Sequence, residues 1–346
     1  MAIANLKKFV GASLKKFEWQ ATESAPRSWP MRIVAGRLHY VDGSGAMYVP
    51  DSSDIDAGWG DGISSHVVGD DLKLLPNRLT ITFFSYTEDQ FYRGDFDLPY
   101  DKILSLFQKG FYSPVNDKHI TYDNIIVGVA PGGAVAVWLW GYEKTTEVFF
   151  GQAEKVDLPW STLTSATHIT REEYVRQNIV ESLKTPEALE ALRKNGVPIG
   201  LWNTYRTRYH WQPVFTNMTL LEGRITLINY FNGECDYINY PLERHVAEST
   251  RAVPKNMTFI WDQPNAKPLR IKLFFDEAEI FSTFKKLAAD SLPLQLEMRI
   301  AVINGKNDFT VWLKNEKTAI EIKQMKVETY GIPAGYEVRP APRSDK

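Results

Sequence analysis

Asp51, Asp54, Asp56 and Asp61 crowd into the stretch DSSDIDAGWGDGISS, Asp51 to Ser65, around Gly58, Trp59 and Gly60. Closely spaced carboxylates in a glycine-containing segment could serve calcium, which takes about six to eight oxygen ligands. The EF-hand pattern is not met. Asp51 and Asp54 are out of step and no Glu closes the loop, so no metal is assigned and a solvated loop is the plain alternative. A third use is recognition. An exposed Trp between glycines, ringed by carboxylates, suits a basic pocket on another protein. Asp51, Asp54, Asp56, Trp59 and Asp61 are therefore candidate partner-binding residues.

A second crowd lies in GLWNTYRTRYHWQPVF, Gly200 to Phe215, with Trp202, Tyr205, Arg206, Arg208, Tyr209 and Trp211. Trp, Tyr and Arg are enriched at binding hot spots, which makes these six the second set of partner-binding candidates. Aromatics also stack on sugar rings, so a carbohydrate-active enzyme is an alternative. Core packing of part of the set, where a connector meets a following domain, is the plain alternative.

Catalytic motifs are not found. The six histidines, His39, His66, His119, His168, His210 and His245, form no HxxxH or HxH pair, so a zincin is unsupported. There is no GxSxG elbow; Gly43-Ser44-Gly45 sits in a turn between LHYVD and AMYV. The one cysteine, Cys235, beside Gly233 and Glu234 in an expected turn, permits no internal disulfide and no Cys-based zinc site. No catalytic residue and no cofactor is assigned.

One glycine cluster has to be tested for phosphate binding: NIIVGVAPGGAVAVWLWG, Asn124 to Gly141. A phosphate loop opens a helix and usually carries Lys followed by Ser or Thr. Here β-prone AVAVWLWG follows, so Pro131, Gly132 and Gly133 are read as the turn of a hairpin.

The elements that must position these residues form a repeat. LEMRIAVINGKNDFTVWLKN, Leu296 to Asn315, has the same strand–turn–strand pattern, and Val-Trp-Leu recurs at Val137–Leu139 and Val311–Leu313. Upstream, the blocks beginning at Pro76 and Pro254 each read strand, polar turn, strand and helix. Ile103, Leu104, Leu106 and Phe107 supply the apolar face of one helix, and Ile280, Phe281, Phe284 and Leu287 that of the other. An internal duplication of about 150 residues per copy follows from this order. The expected fold is α+β: two tandem β-rich domains of antiparallel hairpins with a packed helix, residues 20–165 and 197–340. A helical connector, 166–196, joins them. There, Thr170 and Glu173 form a capping box, Pro186 opens a second helix behind Thr185, and Gly196 ends it. Residues 1–19 are a basic segment whose Leu6, Phe9, Val10 and Phe17 could form a short amphipathic helix.

At 346 residues with 44% apolar and 24% charged residues, the composition is that of a soluble globular protein of two domains. A net charge of −2 gives no sign of a nucleic-acid binder. No stretch reads as a signal peptide, lipobox or membrane span, so the expected location is cytoplasmic. The oligomeric state is open.

YDNIIVGVAPGGAVAVWLWG, preceded by LTITFFSYTEDQFYRGDFDLPYDKILSLF, resembles the bacterial family called domain of unknown function 2931. The likeness is strongest over residues 20–160 and continues in FDEAEIFSTFKKL and the following hairpin. Many members are annotated lipoproteins, which implies the periplasm as the alternative location. Some lie beside type VI secretion effectors, lipases in particular. The resemblance therefore implies a non-catalytic immunity protein whose partner is a neighbouring toxin. An effector-loading adaptor is the alternative within that setting. The family has no established catalytic residues to carry over.

Overall fold

The structure is a computed structural model that describes residues 14–51, 53–64, 68–113, 118–166, 168–220, 225–239, 249–263, 266–303 and 306–332. Strands dominate and helices are few, so the mixed α+β class holds. The chain forms two compact units: Met1–Phe111 with Ile120–Thr204, and Tyr112–His119 with Tyr205–Lys346. Among the described residues no helix is long and apolar enough to cross a membrane.

In the first unit, β1 (Lys16–Glu18) and β2 (Gln20–Ser24) are followed by β3 (Met31–Tyr40), β4 (Ala46–Tyr48), β5 (Asp54–Ile55), β6 (Leu72–Leu74), β7 (Pro76–Ser85) and β8 (Gln90–Asp97). Helix α1 (Tyr100–Lys109) comes next; the short strands β9 (Phe111–Ser113) and β10 (Lys118–Ile120) that follow it in the chain lie mostly in the second unit, and the first unit resumes with β11 (Asn124–Ala130), β12 (Ala134–Gly141), β13 (Lys144–Gln152) and β14 (Glu154–Val156). One sheet runs β4-β3-β7-β8-β14, all antiparallel. In the other, β2 pairs parallel with β11, and β11, β12 and β13 form an antiparallel meander. Alternation makes the inner faces: Met31, Ile33 and Leu38 on β3 and Leu79, Ile81 and Phe83 on β7 share one core with Ile125, Val127, Val135, Val137 and Leu139. Ile103 and Phe107 of α1 join that core, as their helical spacing predicts. The β11–β12 hairpin is buried on both faces, which is why its sequence is a nearly continuous apolar run rather than an alternating one.

The unit ends in helices α2 (Arg171–Leu183), α3 (Pro186–Asn195) and α4 (Leu201–Thr204). Thr170 Oγ1 accepts from the Glu173 amide at 3.2 Å, the expected cap. Gly196, at φ +69°, follows α3. The helices expected as a connector thus belong to the first unit. A satellite core of Phe84, Tyr86, Phe91, Leu163 and Val175 attaches α2.

The second unit contains β15 (Arg208–Thr216), β16 (Thr219–Leu220), β17 (Ile225–Tyr230), β18 (Cys235–Asn239), β19 (Thr250–Ala252), β20 (Pro254–Asp262) and β21 (Leu269–Phe275). Helix α5 (Glu277–Ala288), β22 (Leu294–Ile303), β23 (Lys306–Lys314), β24 (Ala319–Ile322) and β25 (Met325–Gly331) complete it. The antiparallel order is β18-β17-β20-β21-β25. β15 pairs parallel with β22, and β22, β23 and β24 form an antiparallel meander. Ile280, Phe284 and Leu287 of α5 are buried, and Asp276 caps the helix by accepting from the Glu279 amide at 2.9 Å.

Several local arrangements recur between the units. Lys73 Nζ donates to the Trp19 carbonyl at 3.0 Å, and Arg251 donates to the Trp211 carbonyl at 2.8 Å. Phe17, opposite Lys73, lies 5.3 Å from Phe107; Tyr209, opposite Arg251, lies 5.3 Å from Phe284. A bulge precedes Tyr40, which pairs with Pro76, and another precedes Tyr230, which pairs with Pro254.

Two local expectations change, and a third lies outside the described residues. Phe17 lies in β1, and the rest of the proposed N-terminal helix falls outside the described residues. Cys235 opens β18 instead of sitting in the turn before it. The Asn304-Gly305 turn between β22 and β23 is also outside the described residues.

Candidate partner-binding site

The Ala-Pro-Gly-Gly stretch is the turn of the β11–β12 hairpin. Gly132 and Gly133 have φ of +77° and +82°, a region that favours glycine. The amide that a phosphate would need is already used: Gly132 N donates to Glu88 Oε2 at 2.8 Å. Tyr92 OH donates to the other oxygen of Glu88 at 2.8 Å, and Trp202 Nε1 donates to the Pro131 carbonyl at 3.0 Å. The turn is a packing node, with its polar groups taken by side chains of the same unit.

The acidic segment is fastened along β2. Ser24 Oγ donates to the Gly58 carbonyl at 2.7 Å and accepts from the Gly60 amide at 3.0 Å. Thr22 Oγ1 accepts from the amides of Ile63 and Ser64 at 3.0 and 3.1 Å. These bonds place Trp59 against the outer face of the β11–β12 hairpin. Its ring centroid is 4.8 Å from Trp138 and 5.6 Å from Trp202. Gly128 leaves the room, since a Cβ there would meet Trp138 at 2.4 Å and Trp59 at 3.0 Å. Trp59 is only 7% exposed, which corrects the expectation of an exposed indole. The glycines around it serve to bury it.

The carboxylates fare differently. Asp54 is on β5, opposite Arg32 of β3. It pairs with Arg32 at 3.4 Å and accepts from Tyr86 OH at 2.5 Å. Arg32 also donates to Tyr174 OH of α2 at 3.5 Å. Burial first, and the neighbouring Asp54 carboxylate second, push the Tyr86 phenol far above its ordinary pKa. Asp56 accepts from Ser182 Oγ of α2 at 2.7 Å. Asp51 is half-buried and Asp61 exposed. Among the described residues no group of three His, Cys, Asp or Glu side chains is placed to hold a metal ion.

A cleft of about 190 Å³ opens between this segment and α2, lined among others by Asp54, Asp56, Asn178, Glu181, Ser182 and Lys184. The contribution of α2 was invisible in the sequence. Glu181 and Ser182 are polar residues in the last turn of a capped helix, and nothing local in the sequence says which loop they meet. The helix is aimed by Arg171 at its first position. Arg171 pairs with Asp89 at 2.8 Å, and its guanidinium lies 5.3 Å from the Trp160 ring centroid.

The second predicted set is divided between the two units. Trp202 is in the first unit; Tyr205, Arg206, Arg208, Tyr209 and Trp211 are in the second. Trp202, Tyr205 and Trp211 are buried. Tyr205 stacks on Phe281 at 5.6 Å, and burial followed by the Glu277 carboxylate raises its phenol pKa. Trp211 donates from Nε1 to the Ala252 carbonyl at 3.0 Å. Tyr209 is half-buried against Phe284, Arg208 pairs with Glu234, and Arg206 is half-buried. Core packing, the plain alternative, is what these three large aromatics do.

The model of the family described as Protein of unknown function (DUF2931) matches residues 3–200. No curated protein and no solved structure matches the chain.

Proposed function

The chain belongs to the DUF2931 family, and from that premise and the geometry of the acidic segment we propose that it works without catalysis, by binding another protein. The partner is a toxin that it neutralises, of the type VI secretion lipase class that the family resemblance implies. The observation that carries the binding reading is the fixed acidic rim. Trp59 anchors the segment inward, while Asp54, Asp56 and Glu181 border an open cleft. Carboxylates held in place by Arg32, Tyr86 and Ser182 act as braces, not as acids or bases, and present negative charge without an ordering cost on binding. A basic partner surface is the complement. Trp59 contributes by holding the rim, and the contact falls to Asp54, Asp56, Asp61 and Glu181.

Internal duplication is the second part of the reading. The matching strand orders, the Trp19–Lys73 and Trp211–Arg251 pairs, and the bulges at Tyr40 and Tyr230 support it. Trp138 and Trp312 fit it as well, each on the second strand of a hairpin whose first strand pairs parallel with an earlier one.

Co-expression with the product of the adjacent gene tests the function. A stoichiometric complex with the toxin's lipase activity suppressed is the expected result. A complex that leaves the toxin active makes the chain an effector-loading adaptor, and no complex at all overturns the reading.

A further inference from the structure

β25 is a sheet edge with an unusual composition. It pairs with β21 from Met325–Phe275 to Gly331–Leu269, and among the described residues no strand pairs with its other side. Most of its residues are exposed on both faces. On one face Lys326, Glu328 and Tyr330 stand opposite Phe274, Lys272 and Arg270 of β21. Three cations thus share that face with one carboxylate and two aromatic rings. Lys326 Nζ lies 2.6 Å from Glu328, and Tyr330 OH donates to the same carboxylate at 2.5 Å. Lys272 Nζ sits 4.7 Å from the Phe274 ring centroid. The opposite face carries Val327, 37% exposed.

We propose that the outer edge of β25 receives an extended segment of another protein in which acidic and apolar residues alternate. Strand addition supplies main-chain hydrogen bonds to the open edge, and the two-residue period sends alternate side chains to opposite faces. Acidic residues then lie beside Lys326 and Lys272, and apolar residues lie beside Val327. A second copy of this chain is a poor occupant. Antiparallel pairing of two β25 edges sets cationic face beside cationic face, and an edge lysine disfavours such self-association. This surface belongs to the second unit and uses none of the carboxylates of the acidic rim, so the two sites stand or fall separately.

The probe is a short fluorescein-labelled synthetic peptide alternating glutamate and valine, titrated into the full-length protein and followed by anisotropy. Saturable binding is expected, with affinity falling as salt rises. The double variant Lys272→Glu, Lys326→Glu should bind about tenfold more weakly or worse, and a peptide alternating lysine and valine should bind that variant in its place. N-methylation of alternate peptide amides removes ladder donors without touching charge or the protein fold, and should abolish binding. Equal binding of the N-methylated peptide overturns strand addition. Absence of saturable binding to the wild type overturns the proposal outright, as does a concentration-dependent dimer that Lys326→Glu disrupts, which would give the edge to a second copy.

Discussion

The indole of Trp59 meets that of Trp138 edge-on, with ring centroids 4.8 Å apart and planes at 88°. This contact joins a loop to the second strand of the central hairpin of its unit, and Trp202 packs on the same indole. Trp59→Ala should therefore behave as a core truncation and cost about 3–5 kcal/mol. Urea denaturation followed by circular dichroism measures it. An unchanged midpoint would return Trp59 to the surface role that its sequence context suggests.

Gly133 separates backbone conformation from space. A Cβ there would meet the Ala153 carbonyl at 2.6 Å and Tyr92 at 2.8 Å, on top of its positive φ. Gly43, at φ +74°, has open space around it. Gly43→Ala should cost about 1 kcal/mol from conformation alone. Gly133→Ala should cost clearly more, because Ala153 belongs to the backbone and cannot swing aside. Equal losses in thermal melts would mean that the close approach at Gly133 is relieved without strain.

What was legible in the sequence follows the range of the forces involved. The hairpin at Pro131–Gly133, the helices at Ile103–Phe107 and Ile280–Leu287, and the Thr170 cap were readable because turn chemistry, periodicity and capping act within a few residues. The fate of Trp59 was not. Glycine neighbours and four aspartates describe a polar loop equally well whether its one large ring points out or in. What turns it in is Gly128, distant in sequence, together with Ser24 and Thr22 on β2. The cleft against α2 was hidden for the same reason, since Asp56 and Ser182 meet only through the tertiary fold.

Within the acidic rim, bracing and steering separate by residue. Asp54→Ala leaves the buried Tyr86 hydroxyl without its acceptor and should cost about 1–3 kcal/mol. Asp61→Asn and Glu181→Gln, both at exposed positions, should each cost less stability than Asp54→Ala. Combined, these two changes should slow association with the basic partner and flatten its salt dependence, leaving dissociation nearly untouched. Stopped-flow or surface-binding kinetics at two salt concentrations decide it. Wild-type association rates in the double variant would remove the rim from the interface.

Glu297 makes the second unit sensitive to acid. Its side chain is 4% exposed on β22, and it is held by Thr216 Oγ1 at 2.6 Å, Arg299 at 2.6 Å and Lys314 Nζ at 2.8 Å. Burial pushes its pKa up, but the hydrogen bonds from Arg299, Lys314 and Thr216 outweigh burial and hold it down at about 2. An acid whose folded pKa lies below its unfolded value of 4.5 binds its proton more readily when unfolded. Its stabilisation is complete above that unfolded value and drains away as pH falls toward about 2. Glu297→Gln cannot ionise and lacks this contribution at every pH. The stability gap between wild type and Glu297→Gln should therefore be largest near neutrality, on the order of 2–3 kcal/mol, and shrink steadily below the unfolded value. Urea titrations across that acidic range measure the gap. A gap that stays constant with pH would show that Glu297 contributes through its shape and neutral hydrogen bonds instead of its charge.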